Sequence, residues 1–366
     1  MKFQIQRDNL LNALQQIIGA VEKRQTMPAL SNVLIVAGTD SLSLTATDLE
    51  IEFLTNQAMV IDQPGEITVP ARKLLDICKS LPTDSLINFS LKDDKAMIQS
   101  GRSRFSLVTL PASEFPSLDE ISSNSSFEIP QATLKDIIDK TAFAMAQQDV
   151  RYYLNGLMLE VGPKTLRAVA TDGHRLAFCE KETDFELAEI KQVILPRKGV
   201  IELARLLDNS NDKIRIMLSS NHLRVELNNI RFTSKLIDGR FPDYNRVIPD
   251  DGNSVMTAER ETLKQALIRA SILSNEKYRG IRLILEDNLV RLQAHNPDQE
   301  EADVDLEVNY KGETLEIGFN VNYMIDALNA TNSEMVQLTL RDSNSSCLLS
   351  YPDLGDCKYV IMPMRL

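Results

Sequence analysis

Tryptophan is absent, histidine occurs three times (His174, His222, His295), and the four cysteines (Cys78, Cys179, Cys347, Cys357) never approach a C-x-x-C spacing. Three scattered imidazoles are too few for a metal cluster. Cysteines without paired spacing read as ordinary buried or surface thiols of a reducing compartment. No apolar run approaches the ~18 residues that a membrane helix needs. Near the start, Asn12, Gln15 and Gln16 break the continuous apolar segment that a secretory signal would keep. These absences predict a cytoplasmic chain with no metal or cofactor. Catalytic signatures are missing too: there is no G-x-S-x-G, no H-E-x-x-H and no phosphate loop. Asp172 and His174, inside Thr171-Asp-Gly-His-Arg175, are the one pair that resembles an acid–base couple, and a turn beside a strand explains them more economically. An excess of positive charge is also lacking, since 40 Lys and Arg stand against 52 Asp and Glu. That balance argues against nucleic acid for the molecule as a whole. DNA, however, responds to the local field of the surface it meets, so an acidic exterior with a basic inner face satisfies both facts.

What the chain has is repetition. Phe3, Phe127 and Met256 each open a strand that is followed seven residues later by a helical leucine (Leu10, Leu134, Leu263) and four further on by another apolar residue (Leu14, Ile138, Leu267). Ala46-Thr47-Asp48 returns as Ala170-Thr171-Asp172 and weakly as Ala294-His295-Asn296. A second helix start recurs at Pro70, Pro196 and Asn320, and the last strands are expected to start at Phe105, Phe232 and Tyr359, each 127 apart. Several landmarks in one order at nearly one spacing indicate three copies of one domain. The copies divide as 1–124, 125–246 and 247–366. The polar stretch Ser122–Ser126 is the clearest joint, and Pro249–Asn253 is the second.

Within a copy the periods alternate. Residues 2–6 read as a half-buried strand, and Leu10, Leu14, Ile17, Ile18 and Val21 share one helical face. Residues 41–46 and 49–53 alternate again, Pro70 opens a second helix, and strands follow near 86–91, 95–99 and 104–110. Two helices and many antiparallel strands per copy give an α+β class, with sheets on one side and helices on the other.

Tandem copies form an array or a ring, according to whether the rotation between them closes. Arg102-Ser-Arg-Phe-Ser-Leu107 in the first copy is basic and apolar. Asp298-Gln-Glu-Glu-Ala-Asp303 in the third is acidic, and Ile272-Leu273 there ends an apolar helix. Opposite charges at opposite ends of the array suit head-to-tail pairing of two chains, although solvated faces have the same composition. A repeat scaffold that binds proteins alone shares this architecture. Topological retention on circular DNA separates it from a ring.

The chain resembles the beta subunit family of bacterial DNA polymerase III, the sliding clamps, over essentially its whole length. The matching strings are Thr47-Asp-Leu-Glu50, Val69-Pro-Ala-Arg-Lys73, Ser100-Gly-Arg-Ser-Arg-Phe-Ser-Leu107, Gln148-Asp-Val-Arg-Tyr-Tyr-Leu-Asn-Gly156, Ala170-Thr-Asp-Gly-His-Arg-Leu176, Pro196-Arg-Lys-Gly199, Lys235-Leu-Ile-Asp-Gly-Arg-Phe-Pro-Asp-Tyr244, Ser274-Asn-Glu-Lys277 and Val360-Ile-Met-Pro-Met-Arg-Leu366. The resemblance implies a non-catalytic dimeric ring of six similar domains around duplex DNA. It also implies an ATP-driven clamp loader, and polymerases, the polymerase III alpha subunit among them, and repair proteins that dock through short apolar peptides.

By that resemblance DNA phosphates are met by Arg24, Arg72, Gln148, Tyr152, Tyr153, Arg197 and Lys198. Contacts of this kind position a protein without reading bases, as sliding requires. A helix start also favours anions, which fits the basic pairs Arg72-Lys73 and Arg197-Lys198; the third copy has Val321-Asn322 there. The implied peptide pocket comprises Leu154, Thr171, Gly173, His174, Arg175, Leu176, Pro242, Arg246, Val247, Asn320, Tyr323, Ser346, Val360, Met362, Pro363, Met364, Arg365 and Leu366. Apolar walls with a few orienting polar groups and adaptable methionines suit a shared docking site. The apolar run Met362-Pro-Met-Arg-Leu366 is expected to be docked rather than loose. Asn344 stands where the family often has an aliphatic residue, and Tyr278 where Phe is common. The contact between chains is assigned to Lys73, Arg102, Arg104, Phe105, Leu107, Ile272, Leu273, Glu300 and Glu301.

Overall fold

The structure, a computed structural model, describes residues 1–21, 27–116, 118, 125–185, 187, 189–249 and 252–365. Arg24, Leu366, residues 122–124 of the first expected joint and 250–251 of the second lie outside them.

Three copies of one element order follow each other. The first contains β1 (Lys2–Gln6), α1 (Arg7–Ile17), β2 (Asn32–Ala37), β3 (Ser41–Thr47), β4 (Ile51–Ala58), β5 (Gly65–Pro70), α2 (Ala71–Ser80), β6 (Leu86–Lys92), β7 (Lys95–Ser100) and β8 (Ser103–Val108). The second contains β9 (Ser125–Pro130), α3 (Gln131–Asp139), β10 (Gly156–Gly162), β11 (Thr165–Thr171), β12 (Arg175–Glu182), β13 (Lys191–Pro196), α4 (Arg197–Leu206), β14 (Lys213–Leu218), β15 (His222–Leu227) and β16 (Ile230–Lys235). The third contains β17 (Ser254–Glu259), α5 (Arg260–Ser271), β18 (Gly280–Glu286), β19 (Leu289–His295), β20 (Glu301–Glu307), a short extra β21 (Asn309–Tyr310), β22 (Leu315–Asn320), α6 (Val321–Asn329), β23 (Met335–Leu340), β24 (Cys347–Tyr351) and β25 (Leu354–Ile361).

Local pattern explains the elements. In α1 the stripe Leu10, Leu14 and Ile17 is buried, and a short 3-10 turn at 18–20 closes the helix before the expected Val21. Pro70 is the N-cap of α2 rather than its first helical residue. Its ring fixes φ near the helical value, and the missing N–H is one that a helix start leaves unpaired anyway. Phe3 and Phe89 stack across β1 and β6 with ring centroids 4.8 Å apart. Burial of Leu74, Leu75 and Cys78 turns α2 inward, and pushes the Cys78 thiol up to about 12.

The chain falls into two compact units, Met1–Gln131 with Ile201–Leu236, and Ala132–Val200 with Ile237–Leu366. The division runs through the middle copy because sheets cross from copy to copy. In the first unit β5-β2-β3-β4 continues through β16-β15-β14-β9 as one eight-stranded sheet, and β1-β6-β7-β8 forms a second sheet. In the second unit β13-β10-β11-β12 continues through β25-β24-β23-β17-β21, and β20-β19-β18-β22 forms its own four-stranded sheet. The strand crossings are antiparallel: Phe53 faces Phe232 where β4 meets β16, and Ala177 faces Tyr359 where β12 meets β25.

One expectation is corrected. Cys179 and Cys357 are joined as a disulfide, whereas Cys78 and Cys347 are free and buried. The bonded residues are 178 apart in sequence, so no spacing rule could pair them; the β12–β25 register makes them direct neighbours.

Candidate functional site

The Thr-Asp motif is a turn, built the same way twice. In the first copy Thr47 Oγ1 donates to the Ile51 carbonyl (2.7 Å), and Asp48 Oδ1 accepts from the Glu50 and Ile51 amides (2.9 and 2.8 Å). In the second, Thr171 Oγ1 donates to the Arg175 carbonyl (2.6 Å), and Asp172 Oδ1 accepts from the His174 and Arg175 amides (2.9 and 3.0 Å). Leu49 and Gly173 share the left-handed position, with φ of 76° and 87°. At Gly173 a Cβ would also stand 2.8 Å from a guanidinium nitrogen of Arg151, so a side chain there would displace that guanidinium. Asp172 is thus a side-chain cap that braces the backbone.

That turn sets the edge of a cavity of about 170 Å³ in the second unit. Nine of the expected pocket residues line it: Leu154, Thr171, Gly173, Arg175, Leu176, Pro242, Val247, Val360 and Met362. Leu176 and Val360 face each other across β12 and β25, so the floor is sheet. The segment 241–247 covers it, with Phe241 and Tyr244 buried in the same apolar cluster as Met158, Val169 and Ile194.

Arg175 holds the rim. Its Nε donates to Asp172 (3.0 Å), one terminal nitrogen to Asp326 (2.5 Å) and the other to the Phe143 carbonyl (2.9 Å), while its guanidinium lies 4.5 Å over the Tyr323 ring. Burial raises the Tyr323 phenol above its ordinary range, so the ring stays neutral beneath the cation. Arg151 forms the opposite rim. It grips Asp149 with two nitrogens (3.0 and 2.8 Å) and reaches the Asp172 carbonyl (3.3 Å). These hydrogen bonds hold the Asp149 carboxyl down at about 2.

The other expected pocket residues among those described do not line this cavity. Asn320 caps α6 by accepting from the Asn322 amide. His174 is exposed, and its carbonyl accepts from the Met362 amide (2.9 Å); the Met364 amide donates to Gly318 (2.7 Å). The segment 362–364 is therefore docked by two main-chain bonds. Met364 and Arg365 border a separate, more polar cleft of about 670 Å³ together with Tyr278 and His295. Arg246 is exposed beside Asp243, Pro363 and Ser346 are half-buried, and Asn344 sits exposed in a turn on Asp342. Sequence reasoning missed Arg151, Phe241 and Tyr244, and assigned Tyr153, which also lines the cavity, to DNA alone. The strings around 151 and 241 carried the signal.

The expected phosphate contacts among the described residues sit at helix starts and on one loop. Arg72 is exposed in the first turn of α2 and donates to the Val21 carbonyl (2.6 Å); Arg197 opens α4 and donates to the Met145 carbonyl (3.1 Å), with Lys198 beside it. Gln148 is exposed with φ of 57°, and Tyr152 is 58% exposed and edge-on to Tyr153.

The residues expected between chains lie on two sheet ends. β8 ends its sheet, with Arg102 and Arg104 exposed and Phe105 half-buried. β20 ends another, alternating exposed carboxylates at 301, 303, 305 and 307 with half-buried Ala302, Val304 and Leu306. Within the chain Asp303 accepts from Gln293, Asp305 pairs with Arg291 and Glu300 accepts from Asn296. Leu107 is buried, Leu273 half-buried and Lys73 exposed, and Ile272 is 73% exposed.

Comparison with known proteins bears on all of this. Family models described as DNA polymerase III beta subunit, N-terminal, central and C-terminal domains match residues 1–119, 128–243 and 245–365. The chain is 53% identical to the beta sliding clamp of Pseudomonas aeruginosa and 49% identical to that of Escherichia coli K12, with all of both chains covered in each case. It superposes with a TM-score of 0.96 and 52% identity on the P. aeruginosa sliding clamp solved bound to griselimycin, again over the full length of both.

Proposed function

The chain belongs to the DNA polymerase III beta subunit family, and from that premise we propose that it is a sliding clamp, in which two chains close head to tail around duplex DNA. It performs no catalysis. It keeps a polymerase on its template by topology, and so raises processivity.

The observation that carries the ring is a repeated clasp. At the first joint β5-β2-β3-β4 meets β16-β15-β14-β9, and at the second β13-β10-β11-β12 meets β25-β24-β23-β17. The remaining four-stranded sheets are β22-β18-β19-β20 and β8-β7-β6-β1, and joining them through β20 and β8 of two chains reproduces the same eight-strand order. Register carries over as well. Phe53 opposite Phe232 and Ala177 opposite Tyr359 are equivalent pairs, since Ala46 faces Phe53 in one hairpin and Ala170 faces Ala177 in the next. In the third hairpin Ala294 faces Ala302, so the corresponding pair is Ala302 with the partner's Phe105. Arg104 then opposes Asp303, and Arg102 opposes Asp305. The helices repeat the logic. Glu202 of α4 lies against Gly19, where a Cβ would collide with its carboxylate, and the equivalent Asp326 of α6 pairs with Arg175, which holds Phe143. Gly19 and Phe143 correspond to the exposed Ile272, which would meet the partner's α2 near Asp76 and Lys73.

We take the copies to end near 124 and 246. Arg24, Arg72, Gln148, Tyr152, Tyr153, Arg197 and Lys198 face the DNA phosphates, and the cavity beside Arg175 receives apolar peptides of partners. These partners are the polymerase III alpha subunit, other polymerases and repair proteins, with an ATP-driven loader placing the ring, in the cytoplasm. The test is retention on a nicked plasmid after loading with a loader and ATP. Linearising the plasmid should release the protein at constant salt; release that follows salt and ignores the cut would leave a groove-binding scaffold in its place.

A further inference from the structure

We propose that Cys179 and Cys357 form a reversible redox staple across the joint between β12 and β25. They face each other in register with Cα atoms 4.1 Å apart, and both are buried. The corresponding pair at the joint between β4 and β16 is Thr55 opposite Ile230, which has no thiol to offer. One of two otherwise equivalent joints is therefore built for a covalent bond. The pair is also the last one in the β12–β25 ladder, so local opening of that end of the ladder, rather than global unfolding, would let a small oxidant or reductant reach it. Beyond it Lys181 bridges Asp136 and Asp356, the residue adjoining Cys357, while β12 itself stays paired with β11.

A peroxide is the oxidant. One thiolate attacks the peroxide and becomes a sulfenic acid with release of water. The second sulfur then displaces the sulfenic hydroxyl as water, forming the S–S bond. Two thiols are oxidised and one peroxide is reduced to two waters in all. A dithiol reverses the step by exchange. Because Leu176 opposite Val360 lies three residues along the same two strands, the staple also stiffens the cavity floor.

The test uses the full-length protein, treated with hydrogen peroxide or with dithiothreitol and then unfolded in N-ethylmaleimide. Intact mass should show two adducts after peroxide, on Cys78 and Cys347, and four after dithiothreitol. The reduced protein should melt about 5 °C lower, as expected for opening so long a loop. Its amides in 175–182 and 354–361 should exchange faster. Cys357→Ser should abolish both redox-dependent differences. Four adducts after peroxide, or pairing through Cys78 or Cys347, would overturn the proposal. So would zinc that stays with the reduced protein through gel filtration, since both sulfurs and the Asp356 carboxylate lie within 4.8 Å of one another.

Discussion

Arg175 and Asp326 are 151 positions apart in sequence, yet a guanidinium nitrogen of one lies 2.5 Å from a carboxylate oxygen of the other. The first belongs to the turn copy, the second to α6, and between them they hold the rim of the cavity. Replacing Arg175 by Met should leave Asp172 Oδ2 and the Phe143 carbonyl without the guanidinium donor and cost about 1–3 kcal/mol. Affinity for an apolar clamp-binding peptide should fall about tenfold. Asp326→Asn alone should do less, because that carboxylate is 42% exposed. A double-mutant cycle read by thermal melting and peptide titration should give a coupling of about 1 kcal/mol.

The proposed seam makes a register-specific claim. Phe105→Cys and Ala302→Cys in one chain should cross-link two chains at both seams under mild oxidation, in a background lacking Cys179 and Cys357. Cysteines shifted by one position should not, since neighbouring side chains on a strand point to opposite faces. Covalent dimer on a non-reducing gel is the readout.

Charge reversal tests the same seam independently. Arg104→Glu should move sedimentation from dimer towards monomer, and adding Asp303→Lys should restore the dimer in part.

The Asp149 carboxyl should titrate near 2 in the folded protein, because Arg151 donates to it with side chain and backbone. A folded value below the ordinary 3.8 means that the interaction favours folding above about pH 4 and that the benefit is lost as pH falls towards 2. Carbon-detected titration of the side chain should show Arg151→Met raising it part of the way to the ordinary range, since the backbone amide of residue 151 still donates to it.

Removing a phosphate contact should change salt dependence rather than sequence preference. For the loaded ring, Arg197→Ala should lower the steepness of DNA affinity against salt by about one counterion.

The periodic features were legible because they are local. Leu10, Leu134 and Leu263 mark helix faces wherever they occur, and the Thr-Asp turn announces itself through side chains that bond their own backbone. The Cys179–Cys357 pair was not, because it depends on which strand of one copy lies beside which strand of the next. Arg151 escaped for a related reason: its role depends on the close approach that Gly173 permits. Pro70 shows the limit of boundary reading, since cap and first residue differ by one position that composition does not resolve.

The carboxylates of β20 recur at every second residue from 301 to 307. Two arginines spaced two apart on an approaching strand therefore find acidic partners whether it lands true or slides two residues either way. Charge brings the strands together and forgives misplacement. What would distinguish the landings is bulk: in the proposed register Phe105 lies across from the methyl of Ala302, and a slide would set it against Val304 or Glu300. A ring closed at the proposed seam would thus be drawn shut by a property indifferent to alignment and aligned by one too short-ranged to draw it shut.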